Sequence, residues 1–342
     1  MALRVLHVVG GYPTPANPHN LMFVKTQVDS LAGAGVESDV LVLQGRSLAK
    51  YATGWAQVHR RLRGRQYDLI HGHYAYCAAV CLGHGLPVVT SLLGSDLVGF
   101  PRADGSYSSL SRAIHGKLAR FVVRRSGAGI VKSEQMKQVL GLDVHVVPNG
   151  VDCDRFQPLD PASRAVVRSE LDLAEGTRYV LFAGNPAWPR KRFPLAQSGV
   201  AAAAGRLPFL VELVPVSGRS HEDVLRYMQA CDMLLLTSSW EGSPNVVKEA
   251  MAANMAVVAV DVGDVRERLT GVAGCRVAAA DDAESVADAI VDVLTSGEAV
   301  ASRAAVAPLR SETIAARIVS IYGEALRRRG PQSRPARGDA PR

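Results

Sequence analysis

Residues 240–252 read WEGSPNVVKEAMA, with Glu241 and Glu249 separated by seven residues and straddling a Gly-Ser-Pro-Asn turn. Ser243 is a favoured N-cap and Pro244 suits the first helical position, so the spacing predicts a helix from about Pro244, with Glu241 in the loop and Glu249 on the helix. The flanking apolar runs CDMLLLTSS and AVVAVDVG read as buried parallel strands. Thr237–Asn245 then lies at the carboxyl end of a strand, where open α/β sheets bind ligands and a helix start offers free N–H groups. That is a phosphate site flanked by carboxylates. Spacing alone leaves open the plainer alternative of a solvated loop residue and a surface helical residue.

Other residue types point the same way. FAGNPAWPRKRFP, residues 182–194, places Arg190, Lys191 and Arg192 at an expected helix start, where basic side chains oppose the helix dipole and so call for a reason. VGGYPTP supplies Gly10 and Gly11 after the first strand. It is not G-x-G-x-x-G and no acidic residue follows at the expected distance, which excludes the dinucleotide fingerprint. TSLLGSDLVG carries Ser95 and Asp96, the latter suited either to an acceptor hydroxyl or to a helix cap. His73 ends the third strand and reads equally as a site residue or a buried structural histidine. Neither G-x-S-x-G nor H-E-x-x-H occurs, so hydrolase chemistry has no anchor.

The elements that must hold these residues follow from composition and pattern. The 342 residues suffice for two domains, and 48% hydrophobic content with 6% aromatics fits an α/β protein. No apolar run reaches the roughly 18 to 20 residues that cross a bilayer, and the N-terminus reads as strand one of a cytoplasmic protein. Five cysteines without a C-x-x-C pair argue against a disulfide scaffold or zinc ribbon; Cys77 and Cys81 read as core, and no metal is assigned. The formal charge of +7 comes largely from RRLRGR and a Pro/Arg-rich end. Basic residues are not interleaved with aromatics, which excludes nucleic acid, whereas a basic face would lie against anionic lipid.

Strands are expected at Leu3–Val9, Glu37–Leu43, Leu69–His71, Val88–Ser91, Gly129–Lys132 and Val144–Val147, with a helix at Phe23–Ala32. After a linker at 148–161, further strands fall at Tyr179–Ala183, Phe209–Val214, Met233–Leu236, Val257–Val260 and Arg276–Ala278, and a last helix spans about Glu312–Arg327. This alternation predicts two Rossmann-like, doubly wound parallel-sheet domains facing across a cleft.

With these residues placed, the sequence resembles the retaining glycosyltransferases of the GT-B fold, family 4. The resemblance runs from HVVGGYP to about residue 328, strongest in SSWEGSPNVVKEAMAANMAVVAVDVGDVRE and supported by VVPNGVDCDRFQP, DLIHGHY and the Asn17–Gln27 pattern. It implies an acceptor-side domain at 1–155, a nucleotide-sugar domain at 156–312 and a helix at 313–328 packing back on the first domain, while the Pro/Arg-rich composition of 329–342 predicts a disordered basic tail. It implies that Glu241 contacts donor-sugar hydroxyls and Glu249 the ribose, with Gly242, Ser243, Pro244, Asn245, Val246, Gly10 and Gly11 also facing the donor. Lys191 matches the family lysine that meets the diphosphate; Arg190 is a shifted substitute for an arginine expected where Asn185 or Trp188 stands.

Two further departures bear on activity. Relatives tend to carry glycine near Leu21, so the loop is expected to close differently. Leu93 occupies the position of a histidine or arginine before Gly-Ser-Asp, for which His73 is the nearest replacement. The resemblance implies metal-independent transfer with retention, from a UDP- or GDP-sugar and without a cofactor, to a glycan or lipid-linked acceptor, in the cytoplasm or at the inner face of the membrane. Two rivals stay open: a catalytically weak scaffold of the same fold, and a sugar-nucleotide epimerase.

Overall fold

The computed structural model describes residues 2–17, 20–45, 49–99, 102 and 106–328. The tail expected at 329–342 lies outside the described residues. Two all-parallel sheets organise the chain. The first contains β1 (Leu3–Val9), β2 (Val36–Val42), β3 (Leu69–His73), β4 (Val88–Ser91), β5 (Ala128–Val131) and β6 (His145–Val146), in the order β2-β1-β3-β4-β5-β6. The second contains β7 (Arg178–Ala183), β8 (Val211–Val216), β9 (Met233–Leu236), β10 (Ala256–Ala259) and β11 (Cys275–Val277), in the order β11-β10-β9-β7-β8.

Strand position explains residue choice. β3, β9 and β10 lie inside their sheets and are buried at every position, as their continuous apolar or small-residue runs demand. β8 is an edge strand, is buried only at Val211 and Val216, and carries Pro215, whose missing N–H is tolerated there. Its expected position, Phe209–Val214, is two residues early. Gly72 is fixed by packing, since a Cβ there would stand 2.5 Å from the Ala78 Cα.

The expected helices form with their ends moved slightly. Met22–Gly33 and Ser311–Arg328 each extend one residue beyond expectation at both ends. Leu21 precedes the first with φ 52°, so the backbone keeps the left-handed turn that glycine would take, despite the side chain. Pro161, expected in the linker, opens the helix Pro161–Glu170, and Asp160 caps it by accepting from the N–H groups of Ala162 and Ser163, both at 3.0 Å.

Two crossings join the halves side by side. Val151 pairs with the segment around Arg310, giving its N–H to Leu309 and its carbonyl to Ser311. The Ser311–Arg328 helix then packs on the first sheet, against β4, β5 and the Met22–Gly33 helix. There the buried Tyr322 hydroxyl lies 2.6 Å from His71 Nδ1. No helix among the described residues is long and apolar enough to cross a membrane.

Candidate active site

The carboxyl ends of the two sheets meet at Gly242, in the turn after β9. A Cβ on Gly242 would lie 3.0 Å from Met136 Sδ, 3.3 Å from Lys132 Cβ and 3.5 Å from the Leu93 carbonyl, all of them in segments that follow β4 and β5. Glycine is therefore required where the halves touch. Nearby, the Gly263 N–H donates to Gln135 Oε1 at 3.0 Å, a second bond between the halves.

Glu241 sits at this meeting point, 9% exposed. Lys191 Nζ donates to its Oε1 at 2.7 Å and Arg190 Nη1 approaches its Oε2 at 3.4 Å. Burial works to raise its pKa, yet Lys191 and Arg190 outweigh that effect and hold the carboxyl below its usual range. Glu241 is thus an ionised, charge-paired carboxylate rather than a solvated loop residue. Glu249 projects from the helix Asn245–Ala252, largely buried, and one of its oxygens is 3.2 Å from His221 Nε2.

Three expectations are corrected. The helix begins at Asn245, not Pro244; Pro244 has an extended backbone, and the helix start has no side-chain cap. Ser243 is not the N-cap, because its hydroxyl donates to Asp264 Oδ2 at 2.8 Å and accepts from Lys248 Nζ at 3.0 Å. Arg190 and Lys191 lie in a 3-10 turn, Pro189–Lys191, ahead of the helix Phe193–Ala204 rather than in its first turn. Arg192 is structural: it donates to the Thr237 carbonyl at 2.6 Å and takes Asp281 bidentately, which ties that turn to the end of β9.

The Gly242–Asn245 turn is held by residues the sequence did not single out. Lys248 is buried and its ammonium donates to the Asn149 carbonyl at 2.9 Å as well as to Ser243. Burial lowers its pKa to about 8, against the pull of Asp264 and Glu249. Asp264 also receives Arg268 Nε at 3.0 Å, and Asn149 Nδ2 donates to Asn245 Oδ1 at 3.2 Å. The turn and helix start are thereby fixed, and no side chain among the described residues caps that start, the arrangement that receives an anion. Several buried polar atoms near the cleft have no partner within the described residues, among them Trp240 Nε1, Asn149 Oδ1 and His221 Nδ1, as expected of a site that takes a polar ligand.

On the first sheet, Ser95 and Asp96 open the short helix Ser95–Val98 behind Leu93. Asp96 is wholly buried, and its carboxylate accepts from the N–H groups of Leu93, Gly94 and Ala75 at 2.8–3.1 Å. Desolvation still lifts its pKa to about 6. It therefore shapes the loop, and contact with an acceptor hydroxyl would require giving up those bonds. Gly10 and Gly11 follow β1, but their nearest neighbours are Lys50, Tyr51, Cys77 and Asn20, with Lys50 donating to the Gly10 carbonyl. They are not brought into contact with Glu241. Trp188 is exposed.

His73 belongs to a buried imidazole cluster with His7 and His71, the one group among the described residues whose ligand atoms could share a metal ion. Its chemistry is otherwise. His7 Nδ1 and His73 Nε2 share a 3.0 Å hydrogen bond, His7 Nε2 meets Ser38, and His71 meets Tyr322 and Ser91. The His71 and His73 rings stack at 4.1 Å, and His73 Nδ1 is left without a partner among the described residues. Burial depresses all three pKa values, His7 to about 3, and keeps the cluster neutral. The cysteines are all buried and free.

Comparison with known proteins agrees with this geometry. Residues 8–155 match the family model "Glycosyltransferase Family 4" and residues 178–296 match "Glycosyl transferases group 1". The chain is 25% identical over 326 residues, 77% of its length and 82% of the relative, to the teichuronic acid biosynthesis glycosyltransferase TuaC of Bacillus subtilis. It is 29% identical over 216 residues, 54% of its length and 60% of the relative, to the lipopolysaccharide core biosynthesis mannosyltransferase LpsB of Rhizobium meliloti. Among solved structures, sucrose-phosphate synthase from Thermosynechococcus elongatus superposes with a TM-score of 0.75 at 17% identity, covering 94% of this chain and 98% of that one. HepE of Anabaena, in complex with UDP, gives 0.67 at 17% identity, covering 94% and 100%.

Proposed function

We propose that this glycosyltransferase of the GT-B type moves a sugar from a UDP- or GDP-sugar to a glycan or lipid-linked acceptor in cell-envelope polysaccharide synthesis, with retention of configuration and without a metal ion. The halves divide near residue 155, the first facing the acceptor and the second holding the nucleotide. One observation carries the reading: Glu241, Lys191 and Arg190 converge beside the uncapped start of the Asn245–Ala252 helix, which also presents Glu249.

The chemistry follows from those groups. Glu241 and Glu249, ionised, accept hydroxyls of the donor sugar and the ribose. Lys191 and Arg190 neutralise the diphosphate as the bond from the anomeric carbon to the phosphate oxygen breaks, the charge that a metal ion would otherwise supply. The acceptor oxygen bonds to the anomeric carbon on the same face, and its proton passes to the departing phosphate oxygen. HepE, solved with UDP and with UDP-glucose, supports a nucleotide-sugar in this cleft. The names of TuaC and LpsB support an envelope glycan as product.

Membrane contact is carried by the helix Ser109–Arg125. Leu110, Ile114 and Phe121 are exposed along one face, with Lys117, Arg124 and Arg125 exposed beside them, a pairing suited to anionic lipid at the cytoplasmic surface. Tyr107, just ahead of that helix, lies within the field of Arg190 and Glu241, so the apolar face begins near the mouth of the site.

The test is a thermal-shift series on the purified full chain with UDP-, GDP- and ADP-sugars, since a binder at 100 times its dissociation constant stabilises by about 2.7 kcal/mol. Product from the best donor is then read for anomeric configuration by NMR. Stabilisation followed by a retained anomer supports the reading; an inverted anomer removes retention, and no binding by any sugar nucleotide favours a scaffold.

A further inference from the structure

Lys132 follows β5 at the first sheet's side of the cleft and is 2% exposed. Its ammonium has no hydrogen bond or ion pair among the described residues, although Lys137, Lys191 and Lys248 all do. The charged and titratable groups that face it are Lys248, Asp96, His71 and His73. The Asp96 oxygens are taken by three backbone N–H groups, and Lys248 is committed to Asn149 and Ser243. A buried ammonium without an anion is costly, and an apolar side chain of the same length would remove that cost.

Its placement says what would compensate it. Lys132 Cβ lies 3.3 Å from where a Gly242 Cβ would stand, and its charge is felt on one side by Asp96, His71 and His73 and on the other by Lys248, whose own ammonium meets Ser243. It therefore borders the Gly242–Asn245 turn and the uncapped helix start beyond. Leu93, at the position where the resemblance calls for a polar residue, turns its carbonyl toward the same glycine.

We propose that Lys132 binds an anionic oxygen of the donor, on its diphosphate or on a carboxylate of the transferred sugar, and so supplies from the first sheet the polar contact that Leu93 lacks. This rests on the donor-site reading above. Burial, then Lys248, lowers the Lys132 pKa to about 7 while Asp96 opposes. A bound anion favours the protonated form, so affinity declines as pH rises above 7, while the doubly esterified diphosphate of a nucleotide-sugar keeps its charge.

Calorimetry on the full chain, wild type against Lys132→Met, tests this with UDP-glucose, GDP-mannose and UDP-glucuronate at pH 6.5 and 8.5, and with inorganic pyrophosphate at pH 6.5 alone, because its own protonation changes over that range. Loss of tenfold or more for every bound probe at pH 6.5, with the pH dependence flattened, assigns Lys132 to the diphosphate. A loss confined to UDP-glucuronate assigns it to a sugar carboxylate. Equal affinities in the two proteins overturn the inference and leave the donor site standing. If the wild type binds none of the four, the donor-site reading falls and the inference with it. Lys132→Gln, measured in parallel, provides the comparison should the Met variant misfold.

Discussion

Lys191 Nζ donates to Glu241 Oε1 over 2.7 Å, with the two side chains only 13% and 12% exposed. Each is the other's closest charge, so a donor entering this site must separate or share them. Lys191→Ala is expected to lower kcat at saturating donor by about 10²- to 10³-fold, because its charge matters most as the diphosphate departs. Arg190 still faces Glu241 at 3.4 Å, so the folding penalty should fall below the roughly 3–5 kcal/mol of a wholly orphaned buried charge. Steady-state kinetics with a denaturation curve separates the two effects; full turnover with weakened donor binding would falsify the transition-state role.

Glu249→Ala should weaken nucleotide-sugar affinity by about ten- to a hundredfold, the loss of charge-assisted hydrogen bonds worth roughly 1.5–3 kcal/mol. The His221 contact at 3.2 Å is lost with it. His221→Ala, which removes only that partner, should reduce affinity much less. Calorimetry on both variants decides, and a wild-type value for Glu249→Ala takes the residue out of the site.

The imidazole cluster predicts acid sensitivity. His7, His71 and His73 have folded pKa values depressed below the ordinary 6.5, by burial above all. Below pH 6.5 the unfolded chain binds protons that the native state refuses, so stability is full above that pH and falls as pH drops toward the folded values, about 1.4 kcal/mol per pH unit for each histidine. Asp96, raised to about 6, opposes one of them between pH 6 and its unfolded value near 3.8. Urea unfolding at pH 7 and 5 should therefore show a marked loss, with a smaller slope in His73→Asn; equal stability at both values would contradict the burial of three neutral rings.

The parallel sheets were legible because their inner strands are unbroken apolar or small-residue runs, and the Glu241–Glu249 pair because resemblance gave each a role. The residues that complete the site were not. Lys132 fell at the end of an expected strand, and nothing in its neighbours says that its ammonium is unpaired. Lys248 reads as a helix-surface lysine until the Asn149 carbonyl, 99 positions away, is placed beside it. His221 shares only its tertiary position with Glu249. Ser243 misled for the opposite reason: its type suits a cap, but Asp264 and Lys248 claim its hydroxyl.

Gly242→Ala tests the contact between the halves. The added methyl would stand 3.0 Å from Met136 Sδ, a flexible chain end, and 3.5 Å from the Leu93 carbonyl, which is backbone. Turnover should drop by about tenfold, the scale on which small misplacements of reacting groups act. Adding Met136→Ala should recover part of it by clearing the nearer obstacle. A double-mutant cycle with no coupling between the two positions would show that closure does not depend on this approach.

The bond between Tyr322 and His71 also orders events during synthesis. The first six strands leave the ribosome early, yet the helix that covers β4, β5 and Gly127 is translated near the end of the described chain. Until it arrives, an apolar face of the first sheet is bare and His71 lacks its phenol. The nascent first half must wait for that cover through translation of the entire second half, with apolar surface open to wrong contacts meanwhile. A chain cut at the crossing should regain its first half only when the other piece supplies that helix in trans.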